Sequence, residues 1–328
     1  MHITRRHALA GLGLAPLALA APALVRPALA QPAWPNRPVR FIVPFAAGGP
    51  VEVPARFIAD ALGGKLGQPV VVETKPGAGG SLGVQAVVQA NDPHTLLFTT
   101  SSVAILPAMM ANPGYDPFRD LVPITMVSEA PMVLLAKPDH PIKDLADLLA
   151  RAKARPGAIS YGTSGVGSTT HLGGALLGVR AGIDLLHVPY RGAGQAVNAL
   201  YAGDTDLLVT GTIEALTHVR DGRLKAIAVT SGERASSLPD VPAIGEAVPG
   251  YAMTIWYAMF GPRNMPEEVV QRLAREVAPL SRGNLLATRM EESGAKLLLD
   301  GPARLTERLR LEVPQWREVV ARAGIQAG

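Results

Sequence analysis

The fold is decided by the segment Val39-Arg-Phe-Ile-Val-Pro-Phe-Ala-Ala-Gly-Gly-Pro50. Its first half is apolar and β-branched, which predicts a buried strand, and its second half is rich in glycine, which predicts a turn. A helix through Ala55 to Leu66 is expected to follow. The order of strand, glycine loop and helix is typical of α/β proteins, in which helices cover parallel strands on both faces.

The same order recurs along the chain. In the first half, Val70–Glu73 and Thr95–Thr100 are predicted strands, and Ser81–Gln89 is a predicted helix. In the second half, a helix is predicted over Leu145–Ala154, and strands are predicted over residues 159–161, 185–188, 206–209 and 224–230. Three further helices are expected after Pro262.

Two long apolar segments interrupt this order. Leu121–Lys137 is extended in character, and its two prolines divide it into pieces too short for a stable helix, while Tyr251–Pro262 is a second extended run. We interpret both as crossovers between two lobes, because two connections of this kind suit a hinge. The predicted first lobe combines residues 38–129 with 253–328, and the predicted second lobe covers residues 130–252.

A loop without any formal charge lies in the predicted second lobe, in the segment Ile159-Ser-Tyr-Gly-Thr-Ser-Gly-Val-Gly-Ser-Thr-Thr-His-Leu-Gly-Gly174. This pattern predicts the end of a strand, a turn, and a helix that begins near His171, with Ser168–Thr170 as its cap and first turn. Free N–H groups at a helix N-terminus, together with the helix dipole, favour an anion. An ordinary capped helix after a glycine turn is the alternative interpretation.

Ligands of open α/β sheets bind beyond the carboxyl ends of the strands. Loops in such positions are expected at residues 45–52, 76–81, 100–103, 163–170, 189–194 and 210–214. Most of their residues are Gly, Ser, Thr and Ala. A cleft lined in this way holds its ligand through backbone amides and hydroxyl groups.

The first thirty residues predict an export signal. Paired arginines at Arg5 and Arg6 precede an apolar run that ends in Ala28-Leu-Ala30, which predicts cleavage after Ala30 and favours twin-arginine export, with Sec export as the alternative. The whole chain has a net charge of +4. Removal of this segment with Arg26 would leave the charge near zero, so a nucleic-acid partner is not expected.

The chain contains no cysteine. Disulfides and thiolate metal sites are therefore excluded, and the protein has to fold on its apolar core alone. Two lobes suit its length better than one.

Seven segments, in their order along the chain, resemble the periplasmic solute-binding proteins of tripartite tricarboxylate transporters, the TctC or Bug family. The similarity extends over the whole chain after the export signal. The matching segments are Val43–Gly49, Val70–Gly80, Tyr115–Pro117, Lys153–Gly157, Val188–Gly194, Ala226–Ser231 and Leu238–Pro242.

The resemblance implies a two-lobed α/β fold of the type II periplasmic binding proteins, with two sheets, flanking helices and two hinge crossovers. It also implies a small carboxylated solute, which the protein passes to membrane permease subunits. Carried over by position, the implied ligand contacts are Phe45, Ala46, Gly48, Gly49, Ser164, Gly167, Ser168, Thr169 and Thr170. The rest of the cleft is then lined by Thr100, Ser101, Ser102 and Thr210.

This interpretation involves no catalysis, cofactor or metal ion, and the protein is expected to act as a monomer with only transient permease contacts. A solute sensor that signals to a membrane receptor is the alternative function, because both roles use the same closed form.

The chain departs from the family pattern after the double glycine. It has Pro50-Val-Glu52 where a Gly-Thr-Asp-like run is common. If Glu52 faces the cleft, it repels a second carboxylate and favours a ligand with an amine, amide or hydroxyl group at that end. The alternative is that Glu52 begins its helix and stabilises the helix dipole.

Two patterns resemble those of enzyme sites. Gly79-Gly-Ser-Leu-Gly83 matches the nucleophile elbow of hydrolases, but the five residues Thr74–Ala78 separate the predicted strand from this motif, whereas the elbow needs a sharp turn. His171, His187 and His218 have no spacing typical of a metal site, so capping or packing roles are expected for them.

Overall fold

The computed structural model describes residues 34–45, 47, 51–292 and 294–325. The predicted export signal and the predicted ligand contacts of Ala46, Gly48 and Gly49 lie outside these ranges. Over the described part of the chain, no helix combines the length and the apolar character that a membrane span requires.

The described residues form ten strands. The first five are β1 (Val39–Val43), β2 (Val70–Thr74), β3 (Thr95–Thr100), β4 (Leu121–Ala136) and β5 (Ser160–Thr163). The other five are β6 (Leu186–Pro189), β7 (Leu207–Gly211), β8 (Lys225–Val229), β9 (Thr254–Pro262) and β10 (Lys296–Leu297). These bounds agree with the predicted strands to within one or two residues, except in the two extended runs.

Eleven α-helices lie in the same described ranges. The first six are α1 (Glu52–Leu66), α2 (Ser81–Ala90), α3 (Ser102–Met109), α4 (Leu145–Ala154), α5 (Thr169–Ala181) and α6 (Ala193–Ala202). The remaining five are α7 (Thr212–Arg220), α8 (Ile244–Ala247), α9 (Glu267–Val277), α10 (Leu285–Glu292) and α11 (Pro302–Arg322). The last three are the helices expected after Pro262.

Two sheets share the strand β4. In the first sheet, β1 lies between β2 and β3 with all three parallel, and β9 joins β3 to β4 in antiparallel pairing. In the second sheet, β5 lies between β6 and β7 with all three parallel, and β4 pairs with β7 and β8 in antiparallel fashion. Each half of the molecule thus contains the predicted parallel strands, and antiparallel pairing occurs where the extended runs join them.

The first extended run is a strand, as the sequence predicts, and its prolines do not interrupt it. The strand β4 runs for 16 residues without interruption. Pro123 lies beside an irregularity in the pairing with β9, and Pro131 lies at the last β9 pair, directly before Met132 pairs with β7. Proline lacks the N–H that a ladder needs, so it is tolerated at bulges and at positions where a strand changes partners.

The return crossover pairs with β4 along the strand β9, and one hydroxyl group adds hydrogen bonds just beyond the last pair, Pro131 with Thr254. Thr230 Oγ1 accepts a hydrogen bond of 2.8 Å from the N–H of Met132 and donates one of 2.8 Å to the carbonyl of Met253. The N–H of Met253 donates to the carbonyl of Thr230 at 2.7 Å. Both connections between the two sheets therefore pass through one hydrogen-bonded point.

Apolar side chains pack on both faces of the sheets. Around β1, residues such as Phe41 contact α1 and α9, and around β7, residues such as Leu208 contact α6. The largest cluster surrounds β4 and α11, where Trp256 and Trp316 each donate a hydrogen bond to the buried carboxylate of Glu312. Residues 34–328 form one compact unit.

Candidate functional site

The sheet register brings the carboxyl ends of β3 and β7 towards each other. Thr100 at the end of β3 pairs with Tyr257, which pairs with Ser128 of β4, while Gly211 at the end of β7 pairs with Met132 of β4. Because β3 runs parallel to β4 and β7 runs antiparallel to it, the two ends approach from opposite directions. Along β4 the two registers are four positions apart, which is about 13 Å at the usual rise of a strand, and β9 lies between β3 and β4.

The uncharged loop of the second half is held together by its own hydroxyl groups. Ser168 caps α5 by accepting a 3.2 Å hydrogen bond from the N–H of His171, and it donates to the carbonyl of Gly165 at 2.7 Å. Thr170 Oγ1 accepts from the N–H of Ser164 at 3.1 Å and lies 2.9 Å from Ser168 Oγ and 3.0 Å from Ser164 Oγ. Three of the predicted ligand residues thus form one cluster.

Two backbone donors at the beginning of α5 lack an acceptor. The helix α5 begins at Thr169, two residues before the predicted start. The N–H groups of Thr169 and Thr170 lie in its first turn, where no carbonyl exists four residues earlier, and neither donates to any group among the described residues. Thr169 is half-buried and Thr170 is buried. The helix N-terminus therefore offers two N–H donors and the positive end of its dipole to an anion.

The N–H of Gly167 is engaged in a different way. It donates a hydrogen bond of 3.0 Å to Nδ1 of His171, so it does not point to a ligand while that bond exists. The His171 ring stacks on the His187 ring, with centroids 3.6 Å apart and an angle of 7° between the planes. Burial lowers the pKa of both histidines to about 4, and the proximity of His187 adds to the shift of His171.

The predicted residues of the first half also meet. A Cβ atom at Gly80 would lie 3.5 Å from the Phe45 ring and 3.6 Å from Ser102 Oγ, so these two side chains flank the same glycine. Thr100 Oγ1 donates to Ser102 Oγ at 3.0 Å and accepts from the N–H of Ser102 at 3.2 Å. The segment predicted as a loop after β3 is instead the beginning of α3, because Ser102 is its first residue.

Buried hydroxyl groups without a partner mark both strand ends. Ser101 follows β3, Thr210 lies on β7, and Thr212 is the first residue of α7. Each of these residues is 1 % exposed, and its hydroxyl oxygen has no hydrogen-bond partner within the described part of the protein. A buried hydroxyl group without a hydrogen bond lowers the free energy of unfolding by about 1 to 3 kcal/mol, so such groups usually bond to a ligand or to water. The predicted residues Ser101 and Thr210 are two of the three.

Glu52 is the first residue of α1 and is 5 % exposed. Its Oε1 accepts a hydrogen bond of 2.9 Å from Nε of Arg56, one turn along the same helix. This position matches the alternative in which Glu52 stabilises the helix dipole, and the guanidinium group offsets its charge. Any repulsion of a second ligand carboxylate is correspondingly weaker.

Three further residues lie near the predicted set. Tyr257 pairs in register with Thr100, and burial together with the negative charge of Glu214 raises the pKa of Tyr257 to about 12. A Cβ atom at Gly167 would meet the methyl group of Met109 at the end of α3. Glu214 ends the loop predicted at residues 210–214 and Tyr257 lies in the second extended run, whereas nothing in the sequence indicates where Met109 lies.

The hydrolase alternative has no support in the geometry. Ser81 is fully buried, and its hydroxyl group donates to the carbonyl of Pro113 at 2.6 Å and accepts from the side chain of Gln85 at 2.9 Å. A nucleophile needs access to its substrate and a neighbouring base, and Ser81 has neither among these contacts. In the described ranges, no cluster of three side chains suited to a metal ion occurs.

A cavity of about 930 Å³ lies elsewhere, between β10, α11 and the segment after β8. None of the predicted ligand residues lines it. Three of its four lining cations are paired, since Arg304 contacts Glu129 at 2.9 Å, Arg308 contacts Glu312 at 2.5 Å and Arg234 contacts Glu246 at 2.9 Å, while Lys296 is exposed. The uncharged loop with its unused donors is the candidate site that the sequence indicates.

Comparisons with known proteins show which family this chain resembles. A family model described as "Tripartite tricarboxylate transporter family receptor" matches residues 54–294. Protein BugT from Bordetella pertussis is 33 % identical over 295 residues, which are 89 % of this chain and 90 % of BugT.

Two solved structures from Rhodopseudomonas palustris are also similar. Rpa4515 with adipate has a TM-score of 0.74 and 30 % identity, covering 89 % of this chain and 99 % of its own. MatC with bound malate has a TM-score of 0.72 and 32 % identity, covering 87 % and 99 %. The fold is therefore that of the periplasmic binding proteins, as the sequence predicts.

Proposed function

Because the chain belongs to the tripartite tricarboxylate transporter receptor family, we propose that it captures a small carboxylated organic solute and delivers it to a membrane permease. The chain is a solute-binding protein, not an enzyme. The proposed site lies between the carboxyl ends of β3, β5 and β7. The single observation that carries it is the pair of unused N–H donors of Thr169 and Thr170 at the beginning of α5.

Uncharged donors suit a protein that has to release its ligand. A guanidinium group holds a carboxylate through charge-assisted hydrogen bonds that are roughly twice as strong as neutral ones. N–H groups and hydroxyls give a weaker and more reversible contact, while the helix dipole still selects a negative group. Adipate and malate, which the two similar structures hold, are both carboxylates of this size class.

The two halves are proposed to close on the ligand as lobes, with the boundaries that the sequence indicates. Residues 38–129 and 253–328 form the first, and residues 130–252 form the second. The change of partners along β4 at Pro131 and the hydrogen bonds of Thr230 support a hinge at this level of the chain. Phe45, Thr100, Ser101 and Ser102 would then face Ser164, Ser168, Thr169, Thr170 and Thr210 across the cleft.

Calorimetry and thermal unfolding with malate, adipate and aspartate test the binding step. A ligand at a hundred times its dissociation constant stabilises the folded state by about 2.7 kcal/mol.

We expect Thr170→Val to weaken binding about tenfold, because it removes the hydroxyl that holds Ser164 and Ser168. Thr288→Val, an exposed position on α10, is the matched control and should bind as the wild type does. Equal affinity of both variants would refute this site.

Delivery requires export, so we further propose that the chain reaches the periplasm, is cleaved after Ala30 and acts as a monomer. N-terminal sequencing of the protein recovered from the periplasm tests cleavage, and light scattering tests the monomer. Replacing Arg5 and Arg6 with lysine separates the two export routes, since only twin-arginine export depends on the arginine pair. Solute uptake that continues without the protein would contradict the delivery role.

A further inference from the structure

Two histidines from different elements stack beside the proposed carboxylate loop. His171 lies in the first turn of α5 and is 6 % exposed, and His187 lies on β6 and is half-buried. Their ring planes are 7° from parallel at a centroid distance of 3.6 Å. In the described part of the chain, neither ring pairs with a carboxylate, and the ring of Tyr161 is the next neighbour, 5.2 Å from His187.

Each ring holds one end of the loop. Nδ1 of His171 accepts the N–H of Gly167 at 3.0 Å, and Nε2 of His187 lies 2.7 Å from Oγ1 of Thr163. Thr163 Oγ1 also accepts the N–H of Gly165 at 3.3 Å. The two imidazoles thus fix the loop on both sides of the turn, and the hydroxyl cluster described above lies with it.

The loop needs such external support. Gly165 and Gly167 have φ angles of +132° and +75°. Glycine has little intrinsic preference for one backbone conformation, so a turn with two of them is not fixed by its own sequence. The contact with His171 occupies the N–H of Gly167 and leaves those of Thr169 and Thr170 for the ligand.

We propose that His171 and His187 are positioning residues for carboxylate binding, which fix the Thr163–Thr170 loop through Gly167 and Thr163 without touching the ligand. This inference rests on the proposed function, because it assumes that the loop binds the carboxylate. It requires both rings to be neutral: His171 has to present an unprotonated Nδ1, with its proton on Nε2, and two charged rings would repel each other at 3.6 Å.

A packing role for the two rings predicts something different. Packing depends on the volume and shape of the side chain, whereas positioning depends on one nitrogen atom of each ring. Asparagine places its Oδ1 near the position of Nδ1, and glutamine places its Oε1 or Nε2 near the position of the histidine Nε2. The variants His171→Asn and His171→Gln therefore separate the two roles, because only the first retains an acceptor for Gly167.

The experiment measures malate and adipate dissociation constants by calorimetry and, in the ligand-free proteins, the amide exchange of Gly167 by NMR. We expect His171→Gln to bind about fivefold to tenfold more weakly, with faster exchange at Gly167, while His171→Asn stays within about twofold of the wild type. At the second ring the order reverses, so that His187→Gln is tolerated and His187→Asn is not. If a His171 variant does not fold, the comparison of His187→Gln with His187→Asn tests the positioning role instead.

The outcomes distinguish the inference from the proposed function. If the wild-type protein binds neither acid, the proposed function is wrong. The amide exchange rates of Gly167 in the variants then still test whether His171 accepts its N–H. Wild-type binding with equal losses in His171→Asn and His171→Gln, or with no loss in either, overturns the positioning role and leaves the function in place.

Discussion

Met109 occupies the space into which a side chain at Gly167 would extend. A Cβ atom there would come within 2.2 Å of the Met109 methyl group. Met109 ends α3 in the first half of the chain, and Gly167 lies in the carboxylate loop of the second half, so the contact joins the two halves next to the proposed site. The absence of a side chain at Gly167 allows this approach.

We predict that Gly167→Ala destabilises the protein by about 1 to 2 kcal/mol, chiefly because alanine is disfavoured at φ +75°. The methionine side chain is flexible and can turn aside, so the collision adds less. Urea unfolding measures the change. Gly194→Ala is the control, since Gly194 lies in α6 with open space around it, and alanine there should be neutral or stabilising. Equal effects at both sites would contradict the prediction.

Stability should fall as the pH decreases from about 6.5 towards 4. Both stacked histidines have a pKa of about 4 in the folded protein against an ordinary value of 6.5, so the unfolded chain binds more protons in this interval. From pH 6.5 to 5 the loss is about 1 to 2 kcal/mol per ring. Urea unfolding at several pH values measures it.

The double variant His171→Asn and His187→Gln provides the control for this pH dependence. It lacks both titrating rings, so its stability should change less between pH 6.5 and 5. Carboxylates with a lowered pKa, such as Asp206, contribute to both proteins only at lower pH. An identical slope in the variant and the wild type would show that the rings are not the source.

Variants of the two members of the Glu52–Arg56 ion pair should change the affinity for dicarboxylates in opposite directions. Arg56→Gln leaves the buried carboxylate without its guanidinium partner, so a dicarboxylate should bind more weakly if Glu52 faces the cleft. Glu52→Gln should then bind it more tightly. Calorimetry with malate, and with aspartate for comparison, measures both. Unchanged preference in the two variants would assign Glu52 to the helix N-terminus alone.

Thr230→Val should cost about 2 to 3 kcal/mol, although valine has nearly the same shape. It leaves the N–H of Met132 and the carbonyl of Met253 unsatisfied inside the protein. Thr230→Ser keeps the hydroxyl group and should recover most of the loss. Thermal and urea unfolding compare the two variants, and a stable valine variant would contradict the assigned role of the hydroxyl.

Local signals in the sequence predicted much of the fold. The helix α4 has the predicted bounds, and Ser168 caps α5 as expected, because propensity and capping depend on neighbouring residues. The helix α3 was missed because it carries Pro107 and has no side-chain cap at its beginning. The extended character of β4 was predicted correctly, because its two prolines disfavour a helix.

The site could be predicted only as a set of loops. Glycine and hydroxyl residues after strands predicted which loops border the proposed site, but not which donors remain free. His171 and His187 meet only because β5 and β6 pair in parallel, so their contact depends on the tertiary fold. The same holds for Tyr257, which reaches the strand end through its register with Thr100.

The pairing of β4 with β9, continued by the hydroxyl of Thr230, joins the two crossovers into a two-stranded ribbon. In the proposed closure of the halves, separate hinges would allow shear as well as rotation. This bonded pair would restrict the proposed motion to one axis. Such a ribbon also resists domain swapping between two copies, because the hydrogen bonds between both strands would have to break before either half could be exchanged.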